Sequence, residues 1–433
     1  MSKRIRRKAF PPIFLLLILI SVSFGLDAFG FGLKWLPVIG GISSAHFYIL
    51  SLILLSIIVF NYNPFHTSNP LTSAFSLLAL FLVFQAVITF YRDVLLARSI
   101  QAGAFIQNFL NLYIYFLFIP LVLWTRSKRR LYAFLKGLYF LSIVGLLVTL
   151  LQNLGFFTLP AARRQMAYFG LPRTFNPSSH LLLLGFYIIL GLFLYKGFNS
   201  GYIHLYFTAL LYPIAILASL SRGLTLTFGL VTIGITLLTS KSMFSAIRRL
   251  GIIFVFLLLI LAIAFSLIGL DIDVLAWRVK DGIRSTLNQT GTASFRFELI
   301  SKAWNRTIRR SSIFGRGFNW KSIPSFEQYL NTAITKGPVN DSIYSSIIVS
   351  FGVSGLFVYG FLFLKIFSVG KRILPIIDQD LRPLVAGVIT YNAHVLINGI
   401  SSNSLFGQSS NTVVVISWAL LYITLYLHKK EAL

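Results

Sequence analysis

Long apolar stretches, separated by short polar or basic segments, run along almost the whole chain. Several continue for about eighteen residues or more with almost no charge, which is enough to cross roughly 30 Å of hydrocarbon as an α-helix. The sequence therefore predicts an all-α, polytopic integral membrane protein with about twelve transmembrane helices. The predicted spans lie near residues 10–26, 45–62, 71–90, 103–125, 131–155, 180–196, 203–220, 223–240, 250–270, 344–368, 382–400 and 411–428.

The composition supports this prediction. Hydrophobic residues make up 56% of the chain and charged residues 11%, and the mean hydropathy is +0.81. A water-soluble domain of this size would not carry that balance on its surface. Pro11 and Pro12 open the first apolar stretch and no small-residue cleavage site follows it, so we expect a retained first span. Residues 1–433 are predicted to form a single membrane domain.

A large part of the formal net charge of +27 lies in short clusters beside apolar stretches. With twelve spans, these clusters all fall on one side, so the positive-inside rule predicts that both termini are cytoplasmic. Anionic lipid headgroups explain such clusters better than nucleic acid does, and no nucleic-acid partner is expected. The clusters are Lys3 to Lys8, Arg126 to Arg130, Lys241 with Arg248 and Arg249, Lys371 with Arg372 and Arg382, and Lys429 with Lys430. Arg92 and Arg98 are a minor exception on the opposite side.

One long polar segment, residues 271–343, is predicted to be a large extracytoplasmic loop inserted between two spans. The loop is rich in arginine although the positive-inside rule disfavours cations on that side, so an anion is expected to bind there. Its arginines are Arg278, Arg284, Arg296, Arg306, Arg309, Arg310 and Arg316.

Three arginines are candidates for binding an anionic diphosphate. Arg222 lies in a short polar turn between two apolar stretches, where its planar guanidinium could make bidentate contacts. Arg296 stands between two phenylalanines, and Arg316 stands between two glycines that would let the backbone approach a ligand. Each has a simpler alternative, because membrane-boundary arginines often serve as anchors and loop arginines are often only solvated.

A second group of polar residues lies close to predicted spans. Asp341 could accept a proton from a sugar hydroxyl, although it could equally be the N-cap of the next helix. His394 and Asn398 are four residues apart in a late span, and we expect them to hydrogen-bond between helices. The chain has no cysteine, which excludes disulfides and thiolate metal sites.

Several of these motifs resemble, in order and spacing, those of the O-antigen ligase and O-antigen polymerase superfamily of bacterial envelope glycosyltransferases. The resemblance covers about residues 173 to 355, and the first half of the chain matches only in hydropathy. The motifs are the turn Ser221, Arg222 and Gly223; Arg296 with Trp304 downstream; Phe314, Gly315, Arg316 and Gly317; the segment from Arg173 to Ser178; and Asp341, Ser342, Ile343 and Tyr344 leading to Gly352.

The resemblance implies a GT-C-like fold in the bacterial inner membrane, with the active face in the periplasm. It also implies an undecaprenyl-diphosphate-linked glycan donor, and an acceptor that is a glycan or the lipid A core. Arg222 and Arg296 are then expected to be catalytic and, with Arg316, to bind the diphosphate. Asp341 would activate or position the acceptor hydroxyl, and Arg173, Asn340 and Tyr344 are weaker candidates.

One departure from the family pattern affects the choice of function. The ligases place a histidine at the end of the loop, whereas this chain has Asp341 there and no histidine anywhere in the loop. The sequence therefore favours a polymerase over a ligase, with a possible chain-length regulator as a protein partner. Carboxylates near the loop's spans are few, chiefly Asp271 and Asp273, so we expect transfer without metal or cofactor. A polysaccharide or lipid transporter is the second alternative, and it predicts charges near the membrane midplane or internal repeats.

Overall fold

The computed structural model describes thirteen main stretches of the chain, with single residues and the short runs 300–301 and 303–305 between them. The statements below concern these residues alone. The stretches are 14–23, 38–39, 42–60, 70–92, 112–153, 164–168, 171–174, 179–218, 222–240, 242–268, 313–318 without 316, 342–400 and 408–431.

Helices dominate the described part of the chain. Apolar side chains fill most of their positions, and an α-helix pairs its backbone polar groups internally, as a lipid surrounding requires. The helices are α1 Phe14–Ser23, α2 Ser44–Phe60, α3 Pro70–Phe90, α4 Phe118–Trp124, α5 Lys128–Asn153, α6 Ser179–Lys196, α7 Ile203–Ala218, α8 Arg222–Thr239, α9 Met243–Ile268, α10 Ile343–Ile373, α11 Arg382–Asn398 and α12 Gln408–Glu431.

Five of the described helices are long and apolar enough to cross a membrane, judged by length and composition. They are α3, α5, α6, α10 and α12. Shorter apolar helices occupy most of the other predicted spans, and every stretch predicted as a span contains part of a described helix. The protein is therefore a helical, membrane-embedded chain, while the number of twelve spans stays a prediction.

Two details differ from the all-α prediction with continuous spans. The described part of the span predicted at 103–125 is a 3₁₀ helix, Tyr113–Leu117, followed by the seven-residue α4. Pro120 in α4 has no N–H to donate to the carbonyl four residues earlier, which interrupts a regular α-helix at this point.

Two short antiparallel hairpins also occur between helices: β1 Val38–Ile39 with β2 Ile42–Ser43, and β3 Arg164–Tyr168 with β4 Leu171–Thr174.

The most extensive contact between described helices joins α6 to α11. A Cβ placed on Gly191 would lie 2.6 Å from the carbonyl oxygen of Pro383, and one on Gly387 would lie 2.5 Å from Cα of Ile188. The two glycines therefore let the backbones approach closely, as small residues commonly do between helices in membranes. Further along the same contact, the Tyr187 hydroxyl and His394 Nδ1 are 2.9 Å apart.

Two opposite ends of the helix bundle can be distinguished by their contacts. At one end Lys128 pairs with Asp378 at 2.7 Å and Lys196 pairs with Asp380 at 2.5 Å. We call this the ion-pair end, and it coincides with the basic clusters that are predicted to be cytoplasmic. At the other end, where α10 begins and α11 finishes, the Ile343 N–H donates to the Gly399 carbonyl at 2.8 Å.

The close contact between α6 and α11 can be tested by Gly387→Ala. The added methyl group would overlap the backbone of α6, so we expect a loss of about 1–3 kcal/mol in unfolding free energy. Gly234→Ala in α8 is the matched control, because a Cβ there meets no atom within 4 Å. Thermal unfolding of the detergent-solubilised protein measures both variants. Equal Tm values for the two variants would contradict this packing.

Candidate functional site

The end of the bundle opposite the ion pairs brings together the beginnings of three helices. Helix α6 begins there at Ser179, and α7 returns to the same end because it packs antiparallel to α6. Gly185 lies against Tyr212, whereas Phe193, farther along α6, contacts the earlier Tyr206. Since only three residues separate the end of α7 at Ala218 from the beginning of α8, Arg222 also lies at this end.

The beginning of α10 is fastened to the end of α11. The N-cap is Ser342, whose side chain accepts from the Tyr344 N–H and donates to the Gly399 carbonyl at 3.0 Å. The Tyr344 hydroxyl donates to the Leu396 carbonyl at 2.9 Å. The alternative that Asp341 caps this helix is therefore wrong, because Ser342 fills that position.

Helix α10 is broken at Gly352, one-third of the way along its length. Gly352 has φ 62° and ψ −151°, values that a residue with a side chain rarely adopts. A break at this point separates the Ser354 N–H from its regular helical partner, the Ser350 carbonyl. Both groups then need new partners, because an unpaired backbone group is costly in a membrane protein.

Residues 313–315 with 317 and 318, which we call the glycine turn, supply both new partners. The Gly317 N–H donates to the Ser350 carbonyl at 2.6 Å, and the Ser354 N–H donates to the Ile313 carbonyl at 3.0 Å. The turn thus inserts its own backbone into the broken helical hydrogen bond. This contact fixes one part of the predicted extracytoplasmic loop on the membrane domain.

The two glycines of the turn are required by space and by backbone conformation. Gly315 has φ 61° and Gly317 has φ 66°, both in the left-handed region. A Cβ on Gly315 would lie 2.5 Å from the Gly352 nitrogen, and one on Gly317 would overlap the Thr89 side chain. In the sequence alone, two glycines that flank an arginine are weak evidence for a function. The structure shows a specific reason for each glycine.

The end of α3 holds the other side of the glycine turn. The Phe318 N–H donates to Thr89 Oγ1 at 3.2 Å, and Arg92 Nη1 donates to the Gly315 carbonyl at 3.1 Å. The Phe318 ring contacts Phe351 edge to face at 5.7 Å. The end of α3 and the break in α10 therefore hold Gly315, Gly317 and Phe318 together.

The structure describes only part of the predicted site. Arg296, Arg316, Asn340 and Asp341 lie outside the described residues. Arg222 is described as the first residue of α8 and Arg173 as part of β4, where it pairs with Gln165, but the side chains of both arginines lie outside the description. The proposed roles of all these residues stay predictions. The gathering of the turn and the starts of α8 and α10 at one end agrees with a shared site.

The prediction for His394 as an interhelical hydrogen-bonding residue is confirmed. It bonds to Tyr187 of α6, and a similar pair joins His180 to Tyr391 at 3.1 Å. In the described part of the chain, no group of three or more His, Asp or Glu side chains could hold a metal ion.

Sequence reasoning missed three features of this end: the break at Gly352 and the contacts of Thr89 and Arg92. The apolar residues around Gly352 and Thr89 gave no signal of their special positions. Arg92 did give one, because it departed from the positive-inside pattern.

The fit of the glycine turn can be tested by Gly315→Ala. A left-handed alanine and the overlap with the α10 backbone should together cost about 1–3 kcal/mol of unfolding free energy. The matched control is Gly360→Ala, farther along α10, where a Cβ meets no atom within 4 Å. We expect a lower Tm for Gly315→Ala alone in detergent. A Tm equal to that of the control would argue against the docked turn.

A family model described as O-antigen ligase matches residues 207–360. The match runs from the beginning of α7 to the broken part of α10, and it includes the glycine turn and the predicted loop. No curated protein matches the chain. Over residues 207–360, the match confirms the resemblance that the motifs indicated to the superfamily of O-antigen ligases and O-antigen polymerases.

Proposed function

We propose that this protein is a polysaccharide polymerase. It transfers a glycan from an undecaprenyl diphosphate donor to a hydroxyl group of an acceptor glycan at the outer face of the cytoplasmic membrane. The observation that carries the proposal is the docking of the glycine turn on the break of α10. The turn lies within the matched residues 207–360 and at the same end as the beginning of α8.

The reaction is a substitution at the anomeric carbon of the donor. The acceptor hydroxyl oxygen forms a bond to this carbon, and the bond from the carbon to the diphosphate oxygen breaks. The lipid diphosphate leaves with the electron pair, and the proton of the hydroxyl passes to a carboxylate. Negative charge therefore grows on the diphosphate, and prearranged cations there lower the barrier.

Arg222 and Arg296 are proposed to bind the departing diphosphate, with Arg316 as a third cation. The beginning of α8 suits this role because a helix N-terminus attracts anions through its N–H groups and dipole. Guanidinium groups also make two parallel hydrogen bonds to phosphate oxygens, which an ammonium group cannot do. In the sequence Arg316 stands between Gly315 and Gly317, which are both held by hydrogen bonds.

Asp341 is the proposed acceptor of the hydroxyl proton. It immediately precedes Ser342, which is fixed to the end of α11 by its hydrogen bond to Gly399. Since Ser342 is the N-cap, α10 does not require the Asp341 carboxylate for that purpose. Asn340, Tyr344 and Arg173 are proposed as weaker contributors to substrate binding. We propose that transfer needs no metal ion.

The second candidate function is that of a ligase that transfers glycan to the lipid A core or to another acceptor. The description of the matching family as O-antigen ligase favours it. The sequence favours the polymerase, because Asp341 stands where the ligases place a histidine. A polysaccharide or lipid transporter is a third candidate. A chain-length regulator is a proposed partner of the polymerase.

Deletion of the gene tests these candidates directly. We expect the surface polysaccharide of the host, separated by repeat number on a gel, to change from a ladder to a single repeat on its usual acceptor. Full-length polymer that accumulates on undecaprenyl diphosphate, with no repeats attached to the acceptor, would identify a ligase instead. An unchanged polysaccharide profile would contradict both enzymatic functions and favour the transporter.

The proposed role of Arg222 is tested by Arg222→Lys, which keeps the charge but loses the bidentate geometry. We expect polymer output to fall at least about tenfold, because a lost transition-state contact typically costs that much or more. Arg372→Lys, at the exposed end of α10, is the matched control and should leave the ladder unchanged. Membrane immunoblots would show equal amounts of both variants. A normal ladder from Arg222→Lys would exclude this role.

A further inference from the structure

Lys365 is a cation inside an apolar spanning helix. It lies in α10, within the predicted span 344–368, whereas Lys371 and Arg372 occupy the last turn of that helix at the ion-pair end. At a rise of 1.5 Å per residue, Lys365 is about 9 Å farther into the membrane than Lys371. A charged side chain at such a depth is costly unless it reaches the headgroups or finds a partner.

The Lys365 side chain does not point toward the nearer headgroups. Its Nζ lies 5.2 Å from the centroid of the Phe361 ring, and Phe361 is one helical turn farther from the ion-pair end. Side chains on a helix lean toward its N-terminus, and α10 begins at the opposite end of the bundle. The same lean directs the exposed Lys136 of α5 toward the headgroups, because α5 begins at the ion-pair end with Lys128.

In the part of the chain that the structure describes, Lys365 has no carboxylate partner. The ion pairs there join Lys128 to Asp378 and Lys196 to Asp380. The Phe361 ring attracts the ammonium group, but an aromatic face replaces only part of what a negative charge would supply. The ammonium group therefore keeps its capacity for an acidic partner from outside the chain.

The surface beside Lys365 has the shape of a helix-docking face. Phe357 and Leu364 are 75% and 70% exposed, and Gly360 lies exposed between them on the same side of α10. A Cβ on Gly360 would meet no atom within 4 Å. Small residues flanked by larger apolar ones let the backbones of two membrane helices approach closely. We call Phe357, Gly360, Phe361, Leu364 and Lys365 the Lys365 face.

We propose that the Lys365 face binds a transmembrane helix of another protein, and that a carboxylate of that helix pairs with Lys365. The argument is charge complementarity, because an ammonium group in an apolar surrounding is stabilised most by an opposite charge. The Gly360 position provides the room for the partner's backbone. The inference concerns a partner of the membrane domain, so it stands apart from the proposed glycan transfer.

Two other occupants of this face fit less well. A second copy of the chain offers no carboxylate at this depth, because all eleven Asp and Glu residues lie outside the predicted spans. The phosphate of a lipid lies at headgroup level, and the Lys365 side chain points away from the nearer headgroups. A different protein with an acidic residue in its transmembrane helix therefore remains the favoured partner.

A synthetic transmembrane peptide is the probe that tests the proposal. It consists of about 20 leucines, with one Glu about a third of the way across and a fluorophore at one end. The full-length protein carries the second fluorophore on a single added cysteine after Leu433, since the chain has no cysteine of its own. Energy transfer in phosphatidylcholine vesicles measures association. The matched peptide has Leu in place of the Glu.

Four variants complete the comparison with the wild type: Lys365→Leu, Lys365→Arg, Gly360→Leu and Lys136→Leu. We expect the wild type to bind the Glu peptide at least about fivefold more tightly than the Leu peptide, as an interhelical polar contact in lipid would give. Lys365→Leu should lose this preference, and Lys365→Arg should keep it. Gly360→Leu should weaken binding of both peptides, because the added side chain fills the contact. Lys136→Leu is the matched control and should behave as the wild type.

Equal binding of the two peptides by the wild type would overturn the proposal, and so would an unchanged preference in Lys365→Leu. Thermal unfolding checks that Lys365→Leu is folded, which we expect because it places an apolar residue on an apolar surface. If added phosphatidylglycerol abolishes the preference of the wild type, a lipid phosphate occupies the face instead. Energy transfer between two differently labelled copies that disappears in Lys365→Leu would overturn the proposal in favour of self-association.

Discussion

Every backbone N–H and C=O group inside a membrane needs a hydrogen-bond partner, and the structure depends on this constraint. Helix α10 breaks at Gly352 and so releases the Ser350 carbonyl and the Ser354 N–H. Residues of the glycine turn bind both groups. The energetic penalty for unpaired backbone in lipid thus makes the position of the turn specific. A segment of the predicted loop is thereby fixed beside the break in α10 and the end of α3.

This arrangement gives a physical reason for the proposed site. Catalysis by charge stabilisation requires cations that are already in place when negative charge develops. The described contacts hold the glycine turn against the end of α3 and the break in α10, and α8 begins at the same end of the bundle. Similar fixation at Ser342 holds the beginning of α10, next to the proposed acceptor-activating residue.

The opposite end of the bundle has a different chemistry. There, Lys128 and Lys196 form ion pairs with the segment that leads into α11. Exposed pairs of this kind contribute little to stability individually, so they are better understood as features of the basic face. The buried contacts between α6 and α11, with glycines at the closest approach, are the stronger structural element.

The sequence by itself determined the helical membrane class, because apolar runs of this length are stable as helices in lipid and not when exposed to water. It also determined the family resemblance through its ordered motifs, and it marked Arg92 as unusual by its charge alone. Only the tertiary structure decided the partners of these segments. Ser342 rather than Asp341 caps α10, and Gly315 meets Gly352, because such contacts depend on backbone geometry between residues far apart in the chain. No local pattern of residue types records that geometry, since glycine and serine are common in helices and loops alike.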